Sequence, residues 1–363
     1  MNTMARADAF QPFDATAHWD AATQRLVVTG IMDEAPDVKT FTFRPERPGW
    51  FRYLPGQFIT LELPVPGEPL MRTYTLSSSP SRPHAISVTV KAQKDSLGTR
   101  WMFNNLKPGS HLRAYGPAGD FTHHRHIASR YLFISAGSGI TPMMSMLRWM
   151  ADCEPNADVM FLNCARRPDE LIFRRELEFL ASRMPGLSLG LLVEERPPLH
   201  GWAGASGRID SARLTMLAPD FRGREVFCCG PDPFMSSVRT ILEQNGFAMA
   251  HYHQESFGTA PKQEEPAAAV PSIQPDVSHT IRFLKSGIEA QCAPGKTILE
   301  TARKARVRIP AACEAGLCGT CKITKRSGDV LMDHNGGILD DEIAEGFILA
   351  CCSKPQSDLE IDA

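Results

Sequence analysis

The sequence predicts a multidomain chain of three folded units: a small antiparallel β-barrel, an α/β unit on a parallel sheet, and a compact unit around a cysteine loop. Three observations predict it. From about Gln24 to Gly116 short runs alternate apolar and polar residues between Pro and Gly; from Arg130 to Glu255 strand-like and helical runs alternate; and near the end three cysteines share the run CEAGLCGTC. Period-two alternation marks half-buried strands, and strands separated by helices imply a parallel sheet with right-handed crossovers.

The length of 363 residues corresponds to roughly two to three domains, each able to bury a core. A net charge of −2 with no basic run gives no reason to expect a nucleic-acid partner. The opening residues lack the apolar centre of a secretion signal, and no apolar run is long enough to span a bilayer, so no membrane association is expected. Ten cysteines in such a chain point to a reducing compartment, where thiols hold metal more often than they pair; the expected location is cytoplasmic.

Within the first unit, QRLVVTGIM, VKTFTFRP, QFITLELP, MRTYTLSS, AISVTVKA and SHLRAYG read as six strands, with one helical segment, LGTRWMFNNL. Strands this short and evenly spaced suit a small barrel. Arg72, Thr73, Tyr74 and Thr75 end one strand with a cation, a ring and two hydroxyls. Such a group can hold a phosphate and stack on a flat ring, but polar residues alternate on any half-buried strand, so the motif alone is weak.

The second unit starts with the apolar run YLFISAG, then Gly137, Ser138, Gly139, Ile140, Thr141, Pro142 and the helical MMSMLRWM. Thr141 is expected as the N-cap and Pro142 as the first helical residue. A strand, a glycine turn and a helix N-terminus make an anion site, although the third glycine of the dinucleotide fingerprint is absent. Further strands are expected at DVMFLNCA, LSLGLLVEE, REVFCCG and AHYHQES, and helices at LIFRRELEFLASR, SARLTML and PFMSSVRTILEQNG. Ligands on parallel sheets collect at the carboxyl ends of the strands, which brings Cys228, Cys229, Gly230 and Pro231 to the same crevice as the glycine turn.

Residues 258–277, GTAPKQEEPAAAVPSIQPDV, carry four prolines and little apolar content, the composition of a tether. The last unit offers strands at HTIRFLKSG, GIEAQCAP, FILACC and DLEIDA, a helix at TILETARKA, and the cysteine loop. Cys313, Cys318 and Cys321 are spaced Cys-x4-Cys-x2-Cys with a distant fourth cysteine at 351 or 352, the ligand spacing of a plant-type 2Fe-2S cluster. Zinc knuckles favour paired Cys-x2-Cys units, and only one such pair is present. Gly316 and Gly319 suit a loop that turns tightly enough to aim backbone N–H groups at sulfur.

RTYTLSSSP, GPAGDF, SAGSGITPMM, CCGPDPFM, HYHQESFG and the cluster cysteines occur in one order, which is far more specific than any one of them. Together they resemble the ferredoxin-NADP reductase superfamily with a plant-type ferredoxin of β-grasp fold fused at the C-terminus. Within it, GEPLMRTYTLSSSP, EVFCCGPDPFM, YHQESFG and MDHNGGI are similar to the reductase components of glycine betaine monooxygenases. The resemblance implies a flavin-binding barrel over residues 1–127, an NAD(P)H-binding domain over 128–257, a linker over 258–277 and a ferredoxin domain over 278–363.

The same resemblance implies the site roles. Arg72 would contact the flavin pyrophosphate, Tyr74 would stack on the flavin ring, Thr75 would hydrogen-bond near N5, and Thr73 counts with them among the cofactor-binding residues. Thr99 would hold the pyrophosphate, with Ser96 standing where relatives commonly carry glycine. Gly137, Gly139, Thr141 and Pro142 would bind the nicotinamide nucleotide; Cys229 and Gly230 would lie by the nicotinamide ring; Phe257 would cover the flavin. Cys229 and Glu255 would position and tune rather than react covalently. The last ferredoxin ligand typically stands four residues before a proline, which selects Cys351, before Pro355, over Cys352.

FAD is expected rather than FMN. Arg166, Arg167, Asp169 and Glu170 follow the second strand of the nucleotide unit and suit either NADPH or NADH; the resemblance favours NADH. A flavin converts the paired electrons of a hydride into the single electrons a cluster takes. An oxygen-activating non-haem iron site needs two histidines and a carboxylate. His123, His124 and His126 lie in a loop and read as a solvated turn. The expected partner is therefore a separate Rieske-type oxygenase, and the resemblance implies one that demethylates glycine betaine or a related quaternary amine. Other acceptors, such as a hybrid-cluster protein or a steroid or phenylacetyl-coenzyme A oxygenase, and a redox-sensing module are the competing readings.

Overall fold

The computed structural model describes residues 18–363 except 22, 68, 95, 197–200, 258–277, 312, 313, 315, 317, 318, 335–337 and 339. The proposed linker and the cluster cysteines Cys313 and Cys318 thus lie outside the described residues.

The first unit is a six-stranded antiparallel sheet of β1 (Leu26–Ala35), β2 (Val38–Pro45), β3 (Phe58–Leu63), β4 (Leu70–Thr75), β5 (Ile86–Lys91) and β6 (His111–Ala118). The order is β4-β3-β6-β1-β2-β5. A bridge between Leu76 and Val88, with Ser77 N–H donating to the Ser87 carbonyl, draws the two ends together into a barrel. Alternation does the folding: Ile59, Leu61 and Leu63 join Phe41, Phe43 and Val88 in one core, while Thr60 and Glu62 turn to the outer face. Helix α1 (Leu97–Asn105) starts at Ser96, whose hydroxyl accepts from the Thr99 N–H at 3.3 Å.

The second unit is a parallel sheet of β7 (Arg130–Ala136), β8 (Asp158–Ala165), β9 (Leu187–Val193), β10 (Ala205–Ser206), β11 (Glu225–Cys229) and β12 (Tyr252–Glu255). Its helices are α2 (Ile140–Cys153), α3 (Arg174–Arg183), α4 (Ser211–Leu217) and α5 (Asp232–Gln244). The order β10-β9-β8-β7-β11-β12 places the chain reversal between β7 and β11. A crevice opens at such a switch point, outside the strand ends. Those ends are Ala136 and Cys229. The expected helix start shifts: Gly137–Gly139 form a 3-10 turn, α2 begins at Ile140 after Gly139, and the Thr141 hydroxyl bonds back to the Ser138 carbonyl rather than capping. The two-residue β10 was not expected, because two residues carry no period.

Barrel and nucleotide sheet share packing. Val38 and Phe121 enter the core formed by Phe133, Ile140, Phe161 and Phe227. Ser145 of α2 donates to the Ser78 carbonyl at 2.6 Å, Arg148 donates to the Ser77 carbonyl, and Arg82 pairs with Asp152 at 2.7 Å.

The last unit holds β13 (His279–Phe283), β14 (Ile288–Cys292), β15 (Lys322–Ser327), β16 (Val330–Met332), β17 (Phe347–Leu349), β18 (Ser353–Pro355) and β19 (Leu359–Ile361), with α6 (Ile298–Lys304) and α7 (Asp340–Ala344). A mixed five-stranded sheet, ordered β14-β13-β19-β15-β17, packs on α6 as a β-grasp, beside a β16–β18 pair. Helix α6 starts with a reciprocal box: the Thr297 hydroxyl accepts from Glu300 N–H, and the Glu300 carboxylate from Thr297 N–H.

Candidate functional site

At the end of β4 the Arg72 stem lies over the first turn of α1; a Cβ on Gly98 would come within 3.2 Å of Arg72 Cγ. Among the described residues the exposed guanidinium bonds only the adjoining Met71 carbonyl. A free cation over a helix N-terminus is a cradle for a phosphate. Thr99 sits in that turn, and its hydroxyl accepts from Gln93 N–H at 3.1 Å. Thr73 pairs with Thr60 of β3, hydroxyl to hydroxyl at 3.0 Å. The Tyr74 hydroxyl is buried with no hydrogen-bond partner among the described residues. Buried polar atoms are normally satisfied, so an orphan here fits a ligand bearing polar edges, as a flavin does.

The glycine turn after β7 and the Cys229–Gly230 step after β11 touch. A Cβ on Gly139 would stand 2.3 Å from the Cys229 carbonyl carbon and oxygen, and one on Gly230 would stand 2.8 Å from the Phe234 ring. Only glycine permits this approach. A crevice of about 390 Å³ opens beside them, lined by Gly137, Ala165, Arg166, Glu170, Pro231 and Phe234. Its size and its position at the switch point fit a nucleotide. Pro142 is buried in the first turn of α2, one residue beyond Thr141.

Between these two parts, the Thr75 hydroxyl lies 3.5 Å from a Glu255 carboxylate oxygen. Burial pushes the Glu255 carboxyl up to about 8, against the hydrogen bond from Thr75. Glu255 keeps a rim of solvent contact, and a ring lying over it would remove that contact and reinforce the shift. The Cys229 thiol is fully buried and its pKa is raised well above the usual value by that burial, with the Glu255 charge adding to it. A thiol held protonated is a packing and hydrogen-bonding group rather than a nucleophile. Phe257 is 43% exposed, two residues beyond Glu255.

In the last unit Cys321 and Cys351 are brought together by β15 and β17, with Ala350 N–H donating to the Cys321 carbonyl. Hydrogen bonds from the Cys321 and Cys352 thiols draw the Cys351 thiol well below its usual value. A cysteine poised as thiolate beside a second buried one fits two ligands of a metal cluster. Cys352 is half-buried, with its sulfur 3.7 Å from the Leu349 carbonyl.

The cysteine loop also meets the barrel. The Thr320 hydroxyl lies 3.2 Å from that of Thr60, and Arg308 Nη2 lies 3.6 Å from Glu62 Oε1. Sequence reasoning missed all four residues. Thr60 and Glu62 read only as the outer face of a strand, and the one available signal was the position of Thr320 beside a cluster cysteine.

The histidine reading needs correction. His123–Arg125 form a 3-10 turn and His123 is 3% exposed, packed against Tyr131 and Trp149. Burial, with the neighbouring His124, pushes its pKa down to about 3. His126 instead stacks on His253, with ring centres 3.6 Å apart and planes at 25°, while His253 bonds Glu225 at 2.6 Å. Two imidazoles on one ion, each about 2.1 Å from it, hold their ring centres roughly 5 Å apart. His126 and His253 are packed as a stack, not splayed around a metal.

Residues 25–123 match an oxidoreductase FAD-binding domain, 133–240 an oxidoreductase NAD-binding domain, and 281–356 a 2Fe-2S iron-sulfur cluster binding domain. Fold and site together define a pyridine-nucleotide-dependent flavin and iron–sulfur oxidoreductase, whose cofactors are FAD, NADH and a 2Fe-2S cluster. The chain is 48% identical to the stachydrine N-demethylase reductase subunit of Rhizobium meliloti, over 97% of this chain and 99% of that one. It is 42% identical to the glycine betaine monooxygenase reductase subunit of Pseudomonas aeruginosa, over 96% of this chain and 97% of that one. It belongs to this family of oxygenase reductase subunits. In fold it is similar to phthalate dioxygenase reductase, with a TM-score of 0.58 and 23% identity over 94% of this chain and 98% of the other. Among the described residues no helix is long and apolar enough to cross a membrane.

Proposed function

We propose that this chain oxidises NADH and passes single electrons through its 2Fe-2S cluster to a Rieske-type oxygenase that N-demethylates glycine betaine, stachydrine or a related quaternary amine. The reading rests chiefly on full-length similarity to the reductase subunits of a stachydrine N-demethylase and a glycine betaine monooxygenase. When bound, the flavin supplies the change from paired to single electrons.

In this reading Arg72 and the first turn of α1, with Thr99, hold the flavin pyrophosphate, and Thr73 fixes the Arg72–Tyr74 backbone from β3. Tyr74 packs on the ring, and Thr75 presents its hydroxyl at the ring edge. Gly137, Gly139, Thr141 and Pro142 shape the turn that takes the nucleotide phosphates, and Cys229 with Gly230 forms the floor under the nicotinamide. Glu255 stays protonated near neutral pH and keeps negative charge away from the ring. Phe257 covers the outer side of the flavin. Cys313, Cys318, Cys321 and Cys351 hold the cluster. The unit boundaries are 1–127, 128–257, 258–277 and 278–363.

The test mixes the purified holoprotein, NADH and the candidate oxygenase with each amine, and measures formaldehyde against NADH consumed. Amine-dependent formaldehyde supports the reading. Normal cluster reduction by NADH with no electron uptake by any Rieske centre overturns the partner assignment.

A further inference from the structure

Thr60 and Glu62 lie on the outer face of β3, yet Thr60 is only 1% exposed and the Glu62 side chain 12%. What touches them is the iron–sulfur unit, at Thr320, next to the cluster cysteine Cys321, and at Arg308. Glu62 is also held from its own side, because the Tyr115 hydroxyl donates to Oε2 at 2.7 Å and leaves Oε1 toward Arg308. The Thr60 hydroxyl is shared between Thr73, in the middle of the RTYT strand, and Thr320. The cluster loop therefore meets the flavin-motif strand through a chain of three hydroxyls.

We propose that Glu62 and Arg308, with Thr60 and Thr320, are positioning residues that form a releasable latch, seating the 2Fe-2S unit against the barrel for flavin-to-cluster electron transfer. Its two halves are unequal. Glu62 is pre-oriented and shielded, whereas the Arg308 side chain is 73% exposed. A pair with one solvated partner is weak and screened by salt, which suits a contact that must close for one electron and open for delivery. The hydroxyl contact adds direction without charge, so it fixes the register of the loop on the strand. The electron count closes on one turnover. One NADH becomes NAD⁺, one proton leaves to solvent, and two electrons cross the contact singly, each reducing the oxidised cluster, which passes its electron to the oxygenase, or to a one-electron acceptor in its place, before the next arrives.

The proposal rests on the reading of the chain as a flavin-to-cluster reductase, and its test needs no oxygenase, so it can fail while the partner assignment stands. The full-length holoprotein is compared with Arg308→Gln, Glu62→Gln and the exchange Glu62→Arg with Arg308→Glu. Stopped-flow spectra separate flavin reduction from cluster reduction, and small-angle scattering gives the radius of gyration. Each single variant is expected to slow cluster reduction about 3–10-fold at low salt, the range that a loss of about 0.7–1.4 kcal/mol gives. Flavin reduction by NADH stays unchanged, the radius of gyration rises, and the exchange restores both. Salt slows the wild type and leaves Arg308→Gln flat. Wild-type cluster reduction and size in both single variants, or an exchange that restores neither, overturns the latch. Arg308→Gln, at an exposed position, keeps the test decisive if Glu62→Gln folds poorly.

Discussion

The Thr75 hydroxyl stands 3.5 Å from the Glu255 carboxylate, joining the last residue of a barrel strand to the last residue of the nucleotide sheet across 180 positions of sequence. That contact bridges the barrel and the nucleotide sheet, and it ties the protonation of Glu255 to the geometry of both.

Glu255→Gln is expected to flatten the pH profile of flavin reduction. In the proposed site the carboxyl ionises as pH rises through about 8 and puts an anion beside the ring, where negative charge develops, so the rate is expected to fall. Stability has the same sign: the folded pKa lies above the ordinary 4.5, so the folded state binds the extra proton and loses stability as pH climbs from 4.5 to about 8. Stopped-flow rates and thermal melts across that window check both, and an unchanged slope in the variant removes the role assigned to Glu255.

Gly139→Ala puts a methyl group into the Cys229 carbonyl, which is backbone and cannot rotate away. The two loops must part. A loss of about 1–3 kcal/mol in stability is expected, with a raised KM for NADH. Melting curves and steady-state kinetics with an artificial acceptor read both effects.

Buried His123 offers neither ring nitrogen a hydrogen-bond partner among the described residues. Its folded pKa, about 3, is below the ordinary 6.5, so the unfolded chain gains the proton first and stability is lost as pH falls from 6.5 toward 3. His123→Phe is expected to weaken this acid sensitivity without harm at neutral pH. Urea midpoints at a series of pH values, compared as differences from the wild type, provide the measurement.

Cys351→Ser is expected to yield protein with flavin but without a full complement of iron and sulfide, still reducing its flavin with NADH and failing to pass electrons to a cluster-dependent acceptor. Cys352→Ser keeps the cluster. Iron, sulfide and flavin analysis of the two proteins decides which of the adjacent cysteines is the ligand.

The sequence showed what rests on local period and local turn chemistry. The six barrel strands, the β–α alternation and the helix at TILETARKA are visible because each is written within a few residues. Strands β15, β16 and β18 were not, because runs such as KITKRS present mostly half-exposed and polar residues with little contrast between faces. Still less visible were contacts made by the closed fold. His126 and His253 stack although 127 positions separate them, and Thr60 finds Thr320 across 260 positions. His123 looked like a solvated turn because neighbours with charge suggested water; Trp149 and Tyr131, which bury it, arrive from α2 and β7.

Helix α2 opens at the glycine turn, and along its length Ser145 and Arg148 grip the backbone of Ser77 and Ser78, just past Thr75. In the proposed site it is a ruler between the turn that takes the nucleotide and the strand that carries the flavin motif. A change on its buried flank that slid it by a fraction of an ångström would surface as an altered kinetic isotope effect with neither ring pocket touched, giving relatives of this protein a place to tune speed while leaving cofactor choice alone.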